Sequence, residues 1–269
     1  MEKYFNLRGK TLVMGIVNVT PDSFSDGGKF FSPETALAHA KKLVDDGADI
    51  LDIGAESTRP EAIPISIDEE LSRLEKILPA LKNFDVPISV DTYKPEVAAE
   101  ALNWGADIVN DVHGLEDSRM IDVAKKFDAP IIAMHNEKGC DEDIIADVQK
   151  FFRRTLANCT ARNFDTTKII FDPGIGFGKT QEENLSILQR LDELKTLDGR
   201  KLPLLLGVSR KSFIGWATGL ELDDRDAATG AVCVWAITKG VNIVRVHNVE
   251  MISRMCLTID KLSEEAIFS

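Results

Sequence analysis

The feature that most constrains the fold is a regular alternation of short apolar runs with longer segments of helical pattern. Eight runs rich in β-branched residues occur, at Leu12–Val17, Ile50–Ile53, Val86–Val90, Ile108–Val109, Ile131–Met134, Ile169–Phe171, Leu204–Val208 and Ile243–Val246. Continuously apolar strands joined by helices indicate a parallel sheet whose outer face is covered. Eight such units in 269 residues predict a closed (β/α)8 TIM barrel, an α/β fold, as a single domain over residues 1–269.

An open, doubly wound sheet is the alternative architecture. Such a sheet gathers its ligand-binding residues at one switch point in the strand order. The polar residues here follow nearly every strand instead. The barrel is therefore the preferred prediction.

Helix ends can be read at several joins between segments. Ser32 before Pro33 predicts a helix start, because serine caps the first turn and proline suits its first position. Gly47, Gly105 and Gly240 each stand shortly before an apolar run, where a left-handed residue ends a helix. These joins fit a repeated β–α unit.

Charge and cysteine content narrow the classes of partner. The formal net charge of −12 argues against nucleic acid or an anionic membrane as partner, because both repel an acidic surface. The four cysteines lack metal-binding spacing, and no secretion signal or run of about 18 apolar residues occurs. We therefore expect free thiols, a cytoplasmic location and no membrane span.

Polar or charged residues follow almost every predicted strand. In a barrel, these positions surround the opening at which active sites of this fold lie. Any single residue of this kind is more simply a cap of the following loop, but eight together predict one shared site. The residues are Asn18, Asp52, Asp91, Asn110 with Asp111, His135, Asp172, Ser209 with Lys211, and Arg245 with His247.

Oxygen and nitrogen donors of this set suggest particular ligands. Asn18, with substrate phosphates and water, can hold Mg²⁺. Asp91, Asn110 and Asp172 can hydrogen-bond a flat, nitrogen-rich heterocycle, or else form a water-filled polar cluster. Arg59 suits a carboxylate ligand, or is a surface arginine in a turn.

The loops after the sixth, seventh and eighth runs contain further candidates. The segment Asp172–Thr180 ends like a phosphate loop, but Pro173 occupies the position of its first glycine. Lys211 can be a Schiff-base nucleophile if its pKa is depressed, although its charged neighbours favour a charged, hydrogen-bonding lysine. Strand alternation places Arg245 and His247 on one side, where both can bind one phosphate group.

The histidines give a weaker signal. No HxxxH or HxH spacing supports a transition-metal site. His135 follows a strand but is at least as well explained as a structural residue, and no role is assigned to His113. Met134 can pack on a bound ring or in the core.

Several of these segments together resemble the dihydropteroate synthase family. The match runs in the correct order over nearly the whole chain, through Met14–Gly28, Asp52–Pro60, Ser89–Thr92, Asp172–Lys179, Ser209–Ser212 and Arg245–His247. Two departures occur, in Asn136–Gly139 and at Asn248, outside the ligand positions that the family suggests.

The resemblance implies an enzyme of folate biosynthesis that uses Mg²⁺ and works as a homodimer. It implies condensation of (7,8-dihydropterin-6-yl)methyl diphosphate with 4-aminobenzoate, through a cation-like (SN1) substitution, to 7,8-dihydropteroate and diphosphate. Sulfonamides, which mimic 4-aminobenzoate, act on this family. Two rivals remain: a pterin-binding methyltransferase barrel that serves a corrinoid protein, and a non-catalytic pterin-binding relative.

The resemblance also implies a role for each matched residue. The pterin would be held by Asp91, Asn110, Asp172 and Lys211, with Met134, Phe177 and Gly207 lining its slot. Asn18 would ligate Mg²⁺, and Arg245 and His247 would bind the diphosphate. The residues bordering 4-aminobenzoate would be Phe24, Thr58, Arg59, Pro60 and Ser212. The residues expected to act in catalysis are Asp91, Lys211, Arg245 and His247.

Overall fold

A computed structural model describes residues 10–20, 32–57, 62–138 and 143–265. Its strands are β1 Leu12–Asn18, β2 Ile50–Gly54, β3 Ile88–Asp91, β4 Ile108–Asp111, β5 Ile131–Met134, β6 Ile169–Asp172, β7 Thr196–Leu197, β8 Arg200–Lys201, β9 Leu205–Gly207 and β10 Ile243–Val246. Its helices are α1 Pro33–Asp45, α2 Ile67–Leu74, α3 Leu78–Leu81, α4 Pro95–Trp104, α5 Arg119–Phe127, α6 Ile144–Ala161, α7 Gln181–Gln189, α8 Ser212–Thr218, α9 Asp226–Thr238 and α10 Val249–Glu265.

Eight strands pair in parallel in the order β6-β5-β4-β3-β2-β1-β10-β9. The two ends of this order meet, because Phe171 of β6 bridges Leu204 and its N–H donates to Pro203 O over 3.0 Å. The predicted barrel is confirmed, and each of the eight apolar runs overlaps one of its strands. The antiparallel hairpin of β7 and β8 was not predicted. The extent of the domain, residues 1–269, stays a prediction.

The expected helix ends are present. Ser32 Oγ accepts the Thr35 N–H over 3.2 Å at the start of α1. Gly47, Gly105 and Gly240 have φ of 102°, 111° and 97°, a region that favours glycine, just before β2, β4 and β10. The sharp reversal from helix to strand is thus encoded locally.

Two apolar clusters build the core. A larger one lies between the strands and the surrounding helices. A smaller one fills the barrel, from Leu12, Met14, Ile50, Ile108, Ile132, Ile170, Leu205 and Ile243. Side chains two positions further along a strand point to the same face. The next layer of inward-facing residues therefore lies above this cluster, at the carboxyl end of the strands, which we call the mouth. It is formed by Asp52, Asn110, Met134, Asp172, Gly207 and Arg245.

Within the part of the chain that the structure describes, no helix has the length and apolarity needed to cross a membrane. Cys159, Cys233 and Cys256 are buried free thiols, as expected for three of the four cysteines. Cys140 lies outside the described residues.

Candidate active site

Strand register brings distant polar residues into one layer at the mouth. Asn18 is opposite Gly54, Gly54 is opposite Asp91, and Asp91 is opposite Asn110 across β1 to β4. A Cβ built on Gly54 would lie 3.7 Å from Asn18 Oδ1 and 3.7 Å from Asp91 Oδ2. Gly54 therefore lies between the Asn18 amide oxygen and the Asp91 carboxylate, each at ordinary contact distance from a Cβ at that position.

Arg245 joins two carboxylates across the barrel mouth. Its Nε donates to Asp52 Oδ2 and its Nη2 donates to Asp91 Oδ2, each over 2.6 Å. Asn110 Nδ2 donates to the same Asp52 oxygen over 3.1 Å. These four residues form one connected network, which we call the mouth network.

The mouth network retains unused hydrogen-bonding capacity. The Oδ1 atoms of Asp52 and Asp91 are buried and have no hydrogen-bond partner. Burial raises the pKa of Asp91 to about 7, although the positive charge of Arg245 opposes the rise. The pKa of Arg245 is raised by Asp52 and Asp91 despite the opposing effect of burial, so the guanidinium stays charged. Unpaired buried acceptors of this kind suit a ligand that brings N–H donors.

A second group faces the mouth network from β6 and the loop after β9. A Cβ on Gly207 would lie 3.8 Å from Asp172 Oδ2 and 4.0 Å from Lys211 Nζ. Lys211 Nζ also donates to Ile175 O and lies 4.4 Å from the ring centre of Phe177. Gly207 thus lies near a carboxylate and an ammonium, and the ammonium lies over an aromatic ring.

Burial dominates the electrostatics of this second group. It lowers the pKa of Lys211 to about 7, with Asp172 acting in the opposite direction. Burial also raises the pKa of Asp172, against the effect of Lys211. The charged, hydrogen-bonding lysine that the sequence favoured stays a prediction: Lys211 Nζ donates to Ile175 O, while burial lowers its pKa toward neutral.

The loop after β6 is fixed by Lys179. Its Nζ donates to His135 O, Gly174 O and Phe177 O, each over 3.0 Å. Gly174 has a φ of 70°, and a Cβ there would come within 1.9 Å of His135 O. The glycine and the lysine together hold Phe177 beside Lys211.

The two anion-binding candidates, Arg245 and His247, both lie at the end of β10. Strand β10 carries Arg245, and His247 follows its last residue. His247 Nδ1 is 2.9 Å from Ser209 Oγ in the loop after β9. Ser212 is the first residue of α8, and Met134 is buried at the end of β5. Phe24, Thr58, Arg59 and Pro60 lie outside the described residues.

Two residues of the expected ring face away from it. Asp111 accepts the backbone N–H groups of His113 and Leu115 over 2.8 and 3.2 Å, so it caps a loop. His135 packs against Phe151 of α6, outside the barrel. The prediction that every polar strand end joins one ring was wrong for both, because a one-residue step along a strand changes the face.

Three residues of the site had no ligand role assigned from the sequence, although Asp52 and Ser209 were in the predicted set of strand-end residues. Asp52 anchors the mouth network, Ser209 holds His247, and Lys179 holds the Phe177 loop. Strand alternation could have indicated that Asp52 faces the inside of the barrel, because Asp52 lies two residues after the inward-facing Ile50. The partners of Ser209 and Lys179 are set by tertiary contacts, and no pattern in the sequence indicated them.

The barrel, with carboxylate, amide, guanidinium and ammonium groups gathered at its mouth, defines an enzyme-like (β/α)8 protein. Residues 14–247 match the pterin-binding enzyme family. The dihydropteroate synthase of Bacillus subtilis is 46% identical over 256 residues, covering 94% of this chain and 89% of that one. The chain belongs to the dihydropteroate synthase family, and it is an enzyme of folate biosynthesis.

Solved structures agree in fold over almost the full length. A Clostridium difficile dihydropteroate synthase crystallised with pteroic acid has a TM-score of 0.91 and 45% identity, covering 96% of this chain and 98% of that one. A Xanthomonas albilineans dihydropteroate synthase with 4-aminobenzoic acid has a TM-score of 0.90 and 37% identity, covering 96% and 94%. At these identities, the similarity extends beyond the fold to the family.

Proposed function

We propose that this enzyme condenses (7,8-dihydropterin-6-yl)methyl diphosphate with 4-aminobenzoate, giving 7,8-dihydropteroate and diphosphate. The observation that carries the proposal is the convergence of the mouth network with Asp172 and Lys211 around one opening. Relatives crystallised with pteroic acid and with 4-aminobenzoic acid support the same pair of ligands.

The pterin binds between the mouth network and Phe177. Asp91 and Asp172 accept hydrogen bonds from ring N–H groups, and Asn110 both donates and accepts. Lys211 donates to a ring acceptor, while Met134, Phe177 and Gly207 line the slot.

The diphosphate binds beside the pterin, on Arg245 and His247. Asn18 Oδ1 is a hard oxygen donor at the mouth, next to a carboxylate, and this chemistry fits Mg²⁺ together with phosphate oxygens and water. When bound, Mg²⁺ neutralises charge on the departing diphosphate. Arg245 must exchange part of its pairing with Asp52 and Asp91 for phosphate oxygens.

The reaction is a cation-like substitution at the methylene carbon. The carbon–oxygen bond breaks with its electron pair leaving on diphosphate, and the pterin ring delocalises the positive charge. The aminobenzoate nitrogen then forms the new carbon–nitrogen bond and loses a proton to solvent or diphosphate. The side chains therefore position, exclude water and stabilise charge, and no covalent enzyme intermediate is needed.

The second substrate binds at the outer rim of the mouth. The residues proposed for it are Phe24, Thr58, Arg59, Pro60 and Ser212, of which the structure describes Ser212, at the start of α8. An arginine there would bind the carboxylate of 4-aminobenzoate. A sulfonamide that mimics this substrate should then compete with 4-aminobenzoate and not with the pterin diphosphate.

The test is an assay with the pterin diphosphate, labelled 4-aminobenzoate and Mg²⁺. We expect labelled dihydropteroate and diphosphate in equal amounts, both abolished by chelation of Mg²⁺. A cation-like mechanism also predicts that a heavy-oxygen label in the bridge position scrambles within the diphosphate when aminobenzoate is absent. Failure of Mg²⁺-dependent diphosphate release would refute the synthase activity; release without scrambling would refute only the cation-like path.

We propose a homodimer formed through the outer face of α9 and α10. A groove of about 620 Å³ there is lined largely by apolar side chains, among them Met251, Met255 and Ile259, and the neighbouring Trp235 is 46% exposed. A two-fold axis would pair this face with itself. Light scattering should give twice the chain mass, and Met251→Glu should give a monomer.

A further inference from the structure

A second cluster of chemical groups lies outside the barrel, between the end of β5 and α6. His135 is fully buried there, and neither ring nitrogen has a hydrogen-bond partner. Unpartnered buried ring nitrogens are rare in folded proteins and call for a ligand or an ion. The pterin site does not use this imidazole, because the ring lies on the opposite face of the strand from Met134.

Two carboxylates approach the same ring. Asp147, in the first turn of α6, places Oδ2 3.4 Å from His135 Nε2. Glu137 is in the segment after β5, and one ligand atom from each of the three residues lies within 4.8 Å of the others. Phe151, one turn along α6 from Asp147, packs edge-on against the imidazole at 5.4 Å and fixes its orientation.

We propose that His135, Glu137 and Asp147 form a binding site for one divalent metal ion of the zinc type. The distance between His135 and Asp147 supports this. It is longer than the 2.7–3.2 Å range typical of N–H···O hydrogen bonds. Two ligands that are each about 2.1 Å from a tetrahedral metal lie about 3.4 Å apart, which is the separation found here.

The third ligand is placed to complete the site by a side-chain rotation. The side chain of Glu137 is 43% exposed and is paired with Arg154, which is 49% exposed. Because both are near solvent, Glu137 can exchange the guanidinium for a metal, and Arg154 can move into water. Water supplies the fourth position. The ammonium of Lys179 bonds the backbone oxygen of His135, not its ring, so it leaves the imidazole available.

The site would join the segment after β5 to the start of α6. An ion that binds only the folded state stabilises it by an amount that grows with the logarithm of ion concentration over Kd. The ion is separate from the Mg²⁺ proposed at Asn18, since His135 faces α6 and Asn18 faces the barrel mouth. The inference therefore does not depend on the proposed reaction.

The test uses the chelator-treated full chain without substrates and measures Zn²⁺ by equilibrium dialysis and Co²⁺ by its absorption spectrum. We expect one equivalent of Zn²⁺, a raised melting temperature, and a tetrahedral Co²⁺ spectrum without a thiolate charge-transfer band. Asp147→Asn and Glu137→Gln should each weaken binding at least tenfold. Arg154→Met should strengthen binding, because it removes the competitor for Glu137.

A matched control separates this site from the mouth. Asp172→Asn should bind Zn²⁺ as the unaltered chain does. The inference is wrong if no stoichiometric ion binds, if Asp147→Asn binds with unchanged affinity, or if Co²⁺ shows thiolate ligation. All three variants at exposed or partly exposed positions should fold, which circular dichroism would verify.

Discussion

Arg245 Nη2 donates a hydrogen bond of 2.6 Å to Asp91 Oδ2, which joins a side chain proposed for the diphosphate to one proposed for the pterin. The same guanidinium holds Asp52 through Nε. In the proposed complex, the two halves of the pterin diphosphate would therefore contact groups that are bonded to each other before the substrate arrives. Binding of one half must alter the partners available to the other.

Asp91→Asn tests this coupling. The variant removes a charged acceptor for the pterin, and a hydrogen bond to a charged group contributes about 1.5–3 kcal/mol, so pterin affinity should fall about ten- to hundredfold. Arg245 loses one ionic partner at the same time, so affinity for magnesium diphosphate should be unchanged or higher. Calorimetric titration with each ligand separately measures both. Equal losses of affinity for both ligands would show that Asp91 maintains the structure of the mouth and does not bind the pterin specifically.

Lys211 should make pterin binding depend on pH. Burial lowers its pKa to about 7, so the donor form is present below that pH and is lost as the pH rises through it. If the pterin needs the ammonium, affinity should decrease by about one decade per pH unit above 7, because the protonated fraction falls about tenfold per pH unit above the pKa. Lys211→Arg, which stays charged, should bind with no such decrease. If pterin affinity still decreases above pH 7 in Lys211→Arg, Lys211 is not the group that causes the decrease.

Lys179→Met should make the loop that carries Phe177 less well ordered. Lys179 itself is not proposed to contact the substrate. The ammonium holds three carbonyl groups of this loop and of β5, so we expect the KM for the pterin diphosphate to rise about tenfold, equal to about 1.4 kcal/mol. The KM for 4-aminobenzoate should stay the same. Because the charge of Lys179 also lowers the pKa of Lys211, the variant should move the pH break of pterin binding upward. Lys179→Arg should keep that break in place. A purely structural role would leave the break unmoved.

Lys94 holds both ends of the segment that carries Thr58, Arg59 and Pro60. Its Nζ contacts Glu56 before this segment, and donates to Ile65 O and Glu70 Oε2 after it, over 2.8 and 2.7 Å. Lys94→Met leaves the 1%-exposed Glu70 without its ion-pair partner, a change that typically costs about 3–5 kcal/mol. Denaturant unfolding should show this loss, and the KM for 4-aminobenzoate should rise.

A double variant distinguishes the charge from the packing at Lys94. Lys94→Met with Glu70→Gln removes one of the two buried carboxylates that lose their cation, Glu56 being the other, so part of the lost stability should return. The KM for 4-aminobenzoate should remain raised in this double variant, because the contacts of Lys94 at both ends of the segment are still missing. Recovery of both quantities together would contradict a positioning role for Lys94.

The alternation of apolar runs and helical segments determined the barrel, because strand and helix periods are local properties of the chain. The same alternation located the mouth, since residues after parallel strands collect at one end. Asp91, Asn110, Asp172 and Arg245 were found in this way, and the structure places all four there.

Only the tertiary structure decided which face each polar residue takes and which partner it meets. Asn110 and Asp111 are neighbours at the end of β4, yet one joins the mouth network and the other caps a loop. His135 and Asp147 meet because α6 packs on the outside of β5. Pairings such as Arg245 with Asp52 join residues 193 positions apart, and contacts at that range depend on the closure of the barrel, which no local pattern specifies.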